Sequence, residues 1–154
     1  MLCLSLYIGE EQYALPAQEI VEVLPLLRLR RLPHVPDYVR GLLNYHGRMV
    51  PVIDLNVLAH LEPCREQFST RVILVQPRLG NDQQTMLGLL AEQATDTLQI
   101  PRGRLQDAGR LLQDAPYLGQ VALDGEQTVQ LVNAAGLLTA EVLALLAGPP
   151  AASA

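Results

Sequence analysis

A mainly β chain, built as two similar small barrels of about five strands each, is the fold class that three observations predict. Short apolar or β-branched runs alternate along the chain with Gly-, Pro- and Asn-containing breaks. The second half repeats the order of elements of the first. Hydrophobic residues make up 49% of the 154, enough to bury a sizeable core and far from a disordered composition. Aromatics are only 4% and Trp is absent, so that core must be Leu, Val, Ile and Ala.

The elements follow in order. "CLSLYIG" (3–9) and "YALPA" (13–17) read as strands, with Gly9 to Gln12 as a hairpin loop. Pro16 lacks an N–H and argues against a long central strand there. In "EIVEVL" (19–24), strict alternation puts Ile20 and Glu22 on one face and Glu19, Val21 and Val23 on the other. Neither face is cleanly apolar, which leaves part of one for a contact or a rim. "RLPHVPDYVRG" (31–41) carries two prolines and reads as a loop leading into a strand. "GLLNYHGRMVPVIDL" (41–55) reads as a β-hairpin. Gly47 suits a positive φ, and Asn44 can bond its own turn backbone. Pro51 marks an edge or a bulge. "LNVLAHL" (55–61) has Leu55, Leu58 and Leu61 at helical spacing. Asp54, just before it, is suited to accept from free backbone donors at the helix start.

A second series begins after "EPCREQFS". "TRVILVQ" (70–76) predicts a strand, "GNDQQ" (80–84) a turn, and "TMLGLLAEQATDTLQI" (85–100) two strands. A long polar connection (101–116) precedes a second hairpin, "YLGQVALDGEQTVQLVN" (117–133). "TAEVLALLAG" reads as a terminal helix that Thr139 can cap and Gly148-Pro149-Pro150 stops, with 149–154 as a flexible tail. "YALPAQEIVEVL" (13–24) aligns without a gap over "LGLLAEQATDTL" (87–98), and "GLLNYHG" over "GQVALDG". The expected organisation is one domain over 1–148. Its two β-subdomains, roughly 13–68 plus the N-terminal strand and 70–134, share an apolar seam.

Charge and composition exclude several classes. The formal net charge is −5, the pI is near 5.1, and every basic residue is Arg. Such a chain lacks the positive field that nucleic-acid binding requires. Arg28, Arg30 and Arg31 form one basic cluster, which could be a solvated loop or a surface for an acidic partner. Cys3 and Cys64 make no disulfide framework, although one bridge between them is possible. "MLCLSLYIGEE" lacks the charged start of a secretory signal, and "AAGLLTAEVLALLAG" is interrupted by Glu141 and too short to span a bilayer. A cytoplasmic location with no direct membrane insertion is the expectation. His60 and Cys64 supply one edge of a metal site at most, and no nucleophile elbow or phosphate loop is present. No enzyme, no cofactor and no metal are expected.

"EIVEVL" together with "RLPHVPDYVRGLLNYHGRMVPVIDL" resembles the CheW-like domain of bacterial chemosensory proteins. That family carries a Glu-Val strand, a Leu-Pro-x-x-Pro loop, a Gly-x-x-Asn-x-Arg-Gly turn and a Pro-Val-Ile-Asp-Leu strand. "LGLLAEQATDTLQI" and the second hairpin fit the family's second half, and the similarity covers roughly residues 2–138. The resemblance implies two intertwined SH3-like five-stranded barrels. It implies a non-enzymatic adaptor, associated with membrane-bound receptor arrays, that couples methyl-accepting chemoreceptors through their cytoplasmic tips to the regulatory domain of a CheA-type histidine kinase. It brings no cofactor and no catalysis. Ile20, Glu22 and Val23 match the family's contact strand; Tyr45, His46 and Arg48 occupy or flank its signature turn. There, His46 stands where the family has Arg. Arginine offers a permanent charge and a planar fork for carboxylates; histidine offers one donor and one acceptor. At a bidentate contact that difference is worth about 1–3 kcal/mol. The competing reading is a small-ligand-binding or enzymatic β-barrel protein that uses the cleft between the barrels.

Overall fold

The structure is a computed structural model, and it describes residues 1–77, 85–107, 115–124 and 127–146. The strands are β1 (Leu2–Ile8), β2 (Glu11–Pro16), β3 (Ile20–Pro25), β4 (Val39–Tyr45), β5 (Arg48–Asp54), β6 (Arg71–Val75), β7 (Leu87–Gln99), β8 (Leu105–Gln106), β9 (Leu118–Asp124) and β10 (Gln127–Val132). Two α-helices accompany them: α1 (Leu55–Leu58) and α2 (Ala140–Leu146). The helix expected over 55–61 is therefore a single turn. The turn expected at 80–84, the stop at 148–150 and the tail at 149–154 lie outside the described residues.

The strands form two curled halves. One runs β7-β1-β2-β10-β9-β8, the other β3-β6-β7-β5-β4. The stretch 85–100, expected as two strands, is one continuous strand that serves both halves. Its first part pairs with β6 and β5, and its second part with β1. Gln93, between them, takes a positive φ of 51°. A left-handed residue turns the strand without ending it, so continuity survives where sequence pattern suggests a break.

The internal repeat is visible in the pairing. In each half the second strand of a hairpin lies parallel to a crossover strand: β5 against β7, and β10 against β2. Each crossover strand, or its continuation, then passes to the other half. β2 runs through a 3₁₀ turn at Ala17–Glu19 into β3, and β7 passes through Gln93. Strand pairing consequently does not follow the expected division at residue 69. β1 and β2 belong with β9 and β10, and β3 belongs with β6, so the halves are intertwined. The first half has six strands rather than five, the sixth being the two-residue β8. Among the described residues hydrogen bonding closes neither half fully. The run leaving β3 returns to β4 by one bridge, with Arg30 N donating to Leu42 O at 2.9 Å and Leu42 N to Arg30 O at 2.8 Å.

The core explains why so few strands alternate cleanly. On β6, Ile73 and Val75 enter the main core shared by both halves, while Val72 and Leu74 fill a second cluster with Val50, Val52 and Leu90. Leu4, Leu6, Ile8 and Leu15 meet Ile53, Leu55 and Leu89 in the shared core, and Val142 of α2 joins it. A third cluster holds Cys3, Ala14, Val129 and Leu131. Strands buried on both faces read as continuous apolar runs. Each fully buried Leu, Ile or Val contributes about 1.5–3 kcal/mol against leaving it in water. Both cysteines are buried and free.

Candidate functional site

The hairpin at 41–55 is closed by a two-residue turn. His46 (φ 52°) and Gly47 (φ 86°) both lie at positive φ, as a type I′ turn requires. Gly47 N donates to Asn44 Oδ1 at 2.9 Å, the self-bonding role that Asn44 was expected to play. The twist of this turn brings Tyr45 opposite Arg48 in the ladder. From there the Tyr45 hydroxyl reaches across to β3 and donates to Glu22 Oε1 at 2.7 Å. The carboxylate beside it holds the phenol above its ordinary value of 10.0, chiefly through that hydrogen bond. Tyr45 also meets the His46 ring edge-on, with centroids 4.4 Å apart. Glu22, His46 and Arg48 are exposed, and the base of Tyr45 packs on the second apolar cluster. Residues 23 positions apart in sequence thus form one surface.

The other two expected residues, Ile20 and Val23, behave differently. A β-bulge falls between Ile20 and Glu22, where β3 slips one residue against β6. It breaks the strict alternation assumed from the sequence. Ile20 and Val23, expected on opposite faces, both pack against the shared core, while Val21 is 41% exposed. The surface therefore presents Val21 and Glu22 from β3, with Tyr45, His46 and Arg48 from the hairpin; Met49, opposite Asn44 in the ladder, is exposed on the other face of the hairpin. Val21 escaped sequence reading, because nothing local announces a bulge. Among the described residues β3 pairs on one side only, with β6.

The hairpin tip is thus hydrogen-bonded to a bulged edge strand on two intertwined halves. Comparison with known proteins places this arrangement in a family. The family described as "CheW-like domain" matches residues 2–142. This chain belongs to the CheW-like domain family. Among similar proteins, the chemotaxis protein CheW of Klebsiella aerogenes is 26% identical over 141 residues, which is 90% of this chain and 82% of that one. The chemotaxis protein CheW of Helicobacter pylori is 29% identical over 107 residues, covering 70% of this chain and 62% of its own length. Protein FrzA of Myxococcus xanthus is 28% identical over 137 residues, 85% of this chain and 81% of that one. The crystal structure of the scaffolding protein TtCheW from Thermoanaerobacter tengcongensis superposes with a TM-score of 0.73 at 18% identity. That match covers 85% of this chain and 82% of the other.

Beneath its tip, the CheW-like domain anchors the hairpin with a buried carboxylate. Asp54 is 1% exposed. Its Oδ1 accepts from Asn56 N at 3.0 Å and Val57 N at 3.3 Å, capping α1. Its Oδ2 accepts from Arg40 Nη1 and from Cys64 N, each at 3.0 Å. Asn56 in turn donates to the buried Glu92 at 2.8 Å, which also accepts from Arg65 Nε at 3.3 Å. Asp54 itself holds backbone donors at Asn56, Val57 and Cys64 and an ion pair with Arg40, a structural role. The Cys64 thiol lies 3.1 Å from Asp54 Oδ1. Burial, and then the neighbouring carboxylate, push it far above the usual thiol range, the opposite of a nucleophile. His60 is exposed, and among the described residues no group of three or more His, Cys, Asp and Glu is placed to hold a metal ion. His34, His46 and His60 all lie at positive φ, a region that His tolerates better than most side chains. Among the described residues no helix is long and apolar enough to cross a membrane.

Proposed function

We propose that this CheW-like domain is a non-enzymatic adaptor that couples chemoreceptors to a CheA-type histidine kinase in a bacterial chemosensory system. The observation that carries the reading is the joined surface of β3 and the β4–β5 tip, fixed by the Tyr45–Glu22 hydrogen bond, in a chain whose family match spans nearly its whole length. Glu22, Tyr45, His46 and Arg48 are the polar contact residues, and Val21 supplies apolar area. Ile20 and Val23 act from beneath, by setting the bulge that turns Glu22 outward. One partner is the regulatory domain of the kinase; the other is the cytoplasmic tip of a methyl-accepting receptor. The protein then works at membrane-bound receptor arrays without entering the bilayer. Each interface can be weak, because an array multiplies weak contacts through effective concentration. His46 in place of the family's arginine lowers the charge of the tip, which tunes partner choice rather than fold.

The competing reading, a ligand-binding or catalytic cleft between the halves, has less support, because Leu, Ile and Val side chains fill that seam. The test is a size-exclusion and pull-down assay with the kinase and receptor encoded beside this protein. A complex with either at low-micromolar protein supports the adaptor reading. No binding to either at about 50 μM, roughly −6 kcal/mol, rejects it for those partners.

A further inference from the structure

We propose that the groove beyond the end of β3 is a second docking surface, which receives a short acidic segment of a protein partner. Arg28, Arg30, Arg31 and Arg40 line a concavity of about 700 Å³, with Glu66 and three leucines between them. Arg40 is engaged by Asp54 at 3.0 Å and Glu66 at 3.6 Å. Arg28, Arg30 and Arg31 are exposed and in no ion pair among the described residues. Four of eleven basic residues thus converge on one groove of a chain whose net charge is −5. Placing like charges together destabilises the compact state, so the cluster calls for an anionic complement.

A second feature adjoins the first. A smaller hollow lined by Pro25, Gln67 and Phe68 shares Leu26 and Glu66 with the arginine groove. Phe68 is the only Phe of the chain and is fully exposed. An aromatic ring left in water, in a hollow that adjoins the arginine groove, is an anchor without its cover. The two together select for carboxylates spaced beside an apolar side chain. Arginine forks favour carboxylates held in a defined plane. An extended polyanion such as nucleic acid would meet the negative remainder of the molecule, so a short peptide segment fits better. Neither hollow is lined by Glu22, Tyr45, His46 or Arg48, so this surface is separate from the tip.

The test uses fluorescence anisotropy of the full chain with a short labelled peptide alternating Glu and Leu. The expected result is saturable binding in the range of about 10–100 μM. Arg28→Gln with Arg31→Gln should weaken it about 10-fold, Phe68→Ala about 3-fold, and a rise in salt from about 50 to 200 mM by a further several-fold. Thermal melts of the variants establish that they are folded. As a check independent of lost affinity, Arg28→Glu with Arg31→Glu should bind a Lys-Leu peptide that the unaltered chain rejects. Equal binding by the Arg28→Gln/Arg31→Gln variant, or equal binding of a Gln-Leu peptide, would overturn the proposal. Tighter binding of single-stranded DNA or anionic vesicles than of the Glu-Leu peptide would overturn the choice of partner. Loss of peptide binding in His46→Arg would overturn the separation from the tip.

Discussion

His46 occupies the first central position of a type I′ turn, where an L-residue with a side chain carries a backbone cost of about 1 kcal/mol relative to Gly. Asn tolerates that region better, so His46→Asn should raise stability by up to about 0.5–1 kcal/mol, read from the denaturant midpoint. His46→Arg puts at that positive φ a side chain that tolerates it less well than His, and should lower stability by less than about 0.5 kcal/mol while shifting affinity for one partner. A stability loss above about 2 kcal/mol would make His46 a structural residue instead. Cys64 gives a pH dependence with a definite sign. Its proton is held in the folded state beyond the point at which the unfolded chain, near 9.0, gives it up. The unfolded state then binds fewer protons, so the contribution is complete below that value and is lost as pH rises above it. Stability should fall by up to about 1.4 kcal/mol per pH unit on the alkaline side, and Cys64→Ala should flatten the fall. A urea midpoint equally steep in both chains above about pH 9 would contradict this. Residue roles that depend on near neighbours were legible in the sequence. Asn44 bonds a residue three positions on, and Asp54 bonds residues two and three positions on. Glu22 meeting Tyr45, or Arg40 meeting Asp54 from 14 positions away, was not, because register between strands decides it.

At the scale of elements, the strands and hairpins appear where apolar runs and turn residues place them. The misses have a common physical cause. The bulge in β3 and the left-handed Gln93 in β7 are single-residue backbone features, and neither residue type announces them. They matter most for the site, since the bulge turns Val21 and Glu22 outward together. One glycine does announce its role. A Cβ placed on Gly41 would lie 2.6 Å from Arg30 O and 3.0 Å from Leu29 Cβ. Gly41→Ala should therefore push Leu29 and Arg30 away from β4, break the bridge at Leu42, and cost about 2–3 kcal/mol. Faster hydrogen exchange at the Arg30 and Leu42 amides would report the opening directly. Unchanged exchange at both amides would show that the chain leaving β3 accommodates the methyl group. Thr139 accepts from Val142 N at 3.3 Å at the start of α2, as its position before an apolar run predicts.

On the scale of the whole molecule, the repeated order of elements predicted two similar halves but could not show that they exchange strands. Exchange makes the seam a single core: Leu6 and Leu15 from one half lie with Ile53 and Leu89 from the other. Truncating Leu6 to Ala should cost about 2–5 kcal/mol and lower one cooperative transition; two separate transitions would mean the halves fold independently. That single core ties the tip to both halves, which suits the proposed coupling of two partners. The β3–tip surface is proposed to bind the signalling partners, and calorimetric titration of the kinase regulatory domain and of the receptor tip into the unaltered chain and into a Glu22→Ala/Tyr45→Ala double variant tests it. The expected result is at least about a 10-fold loss of affinity, about 1.4 kcal/mol, for one or both partners, with the seam's melting transition intact. Affinities within twofold of the unaltered chain for both partners would contradict it.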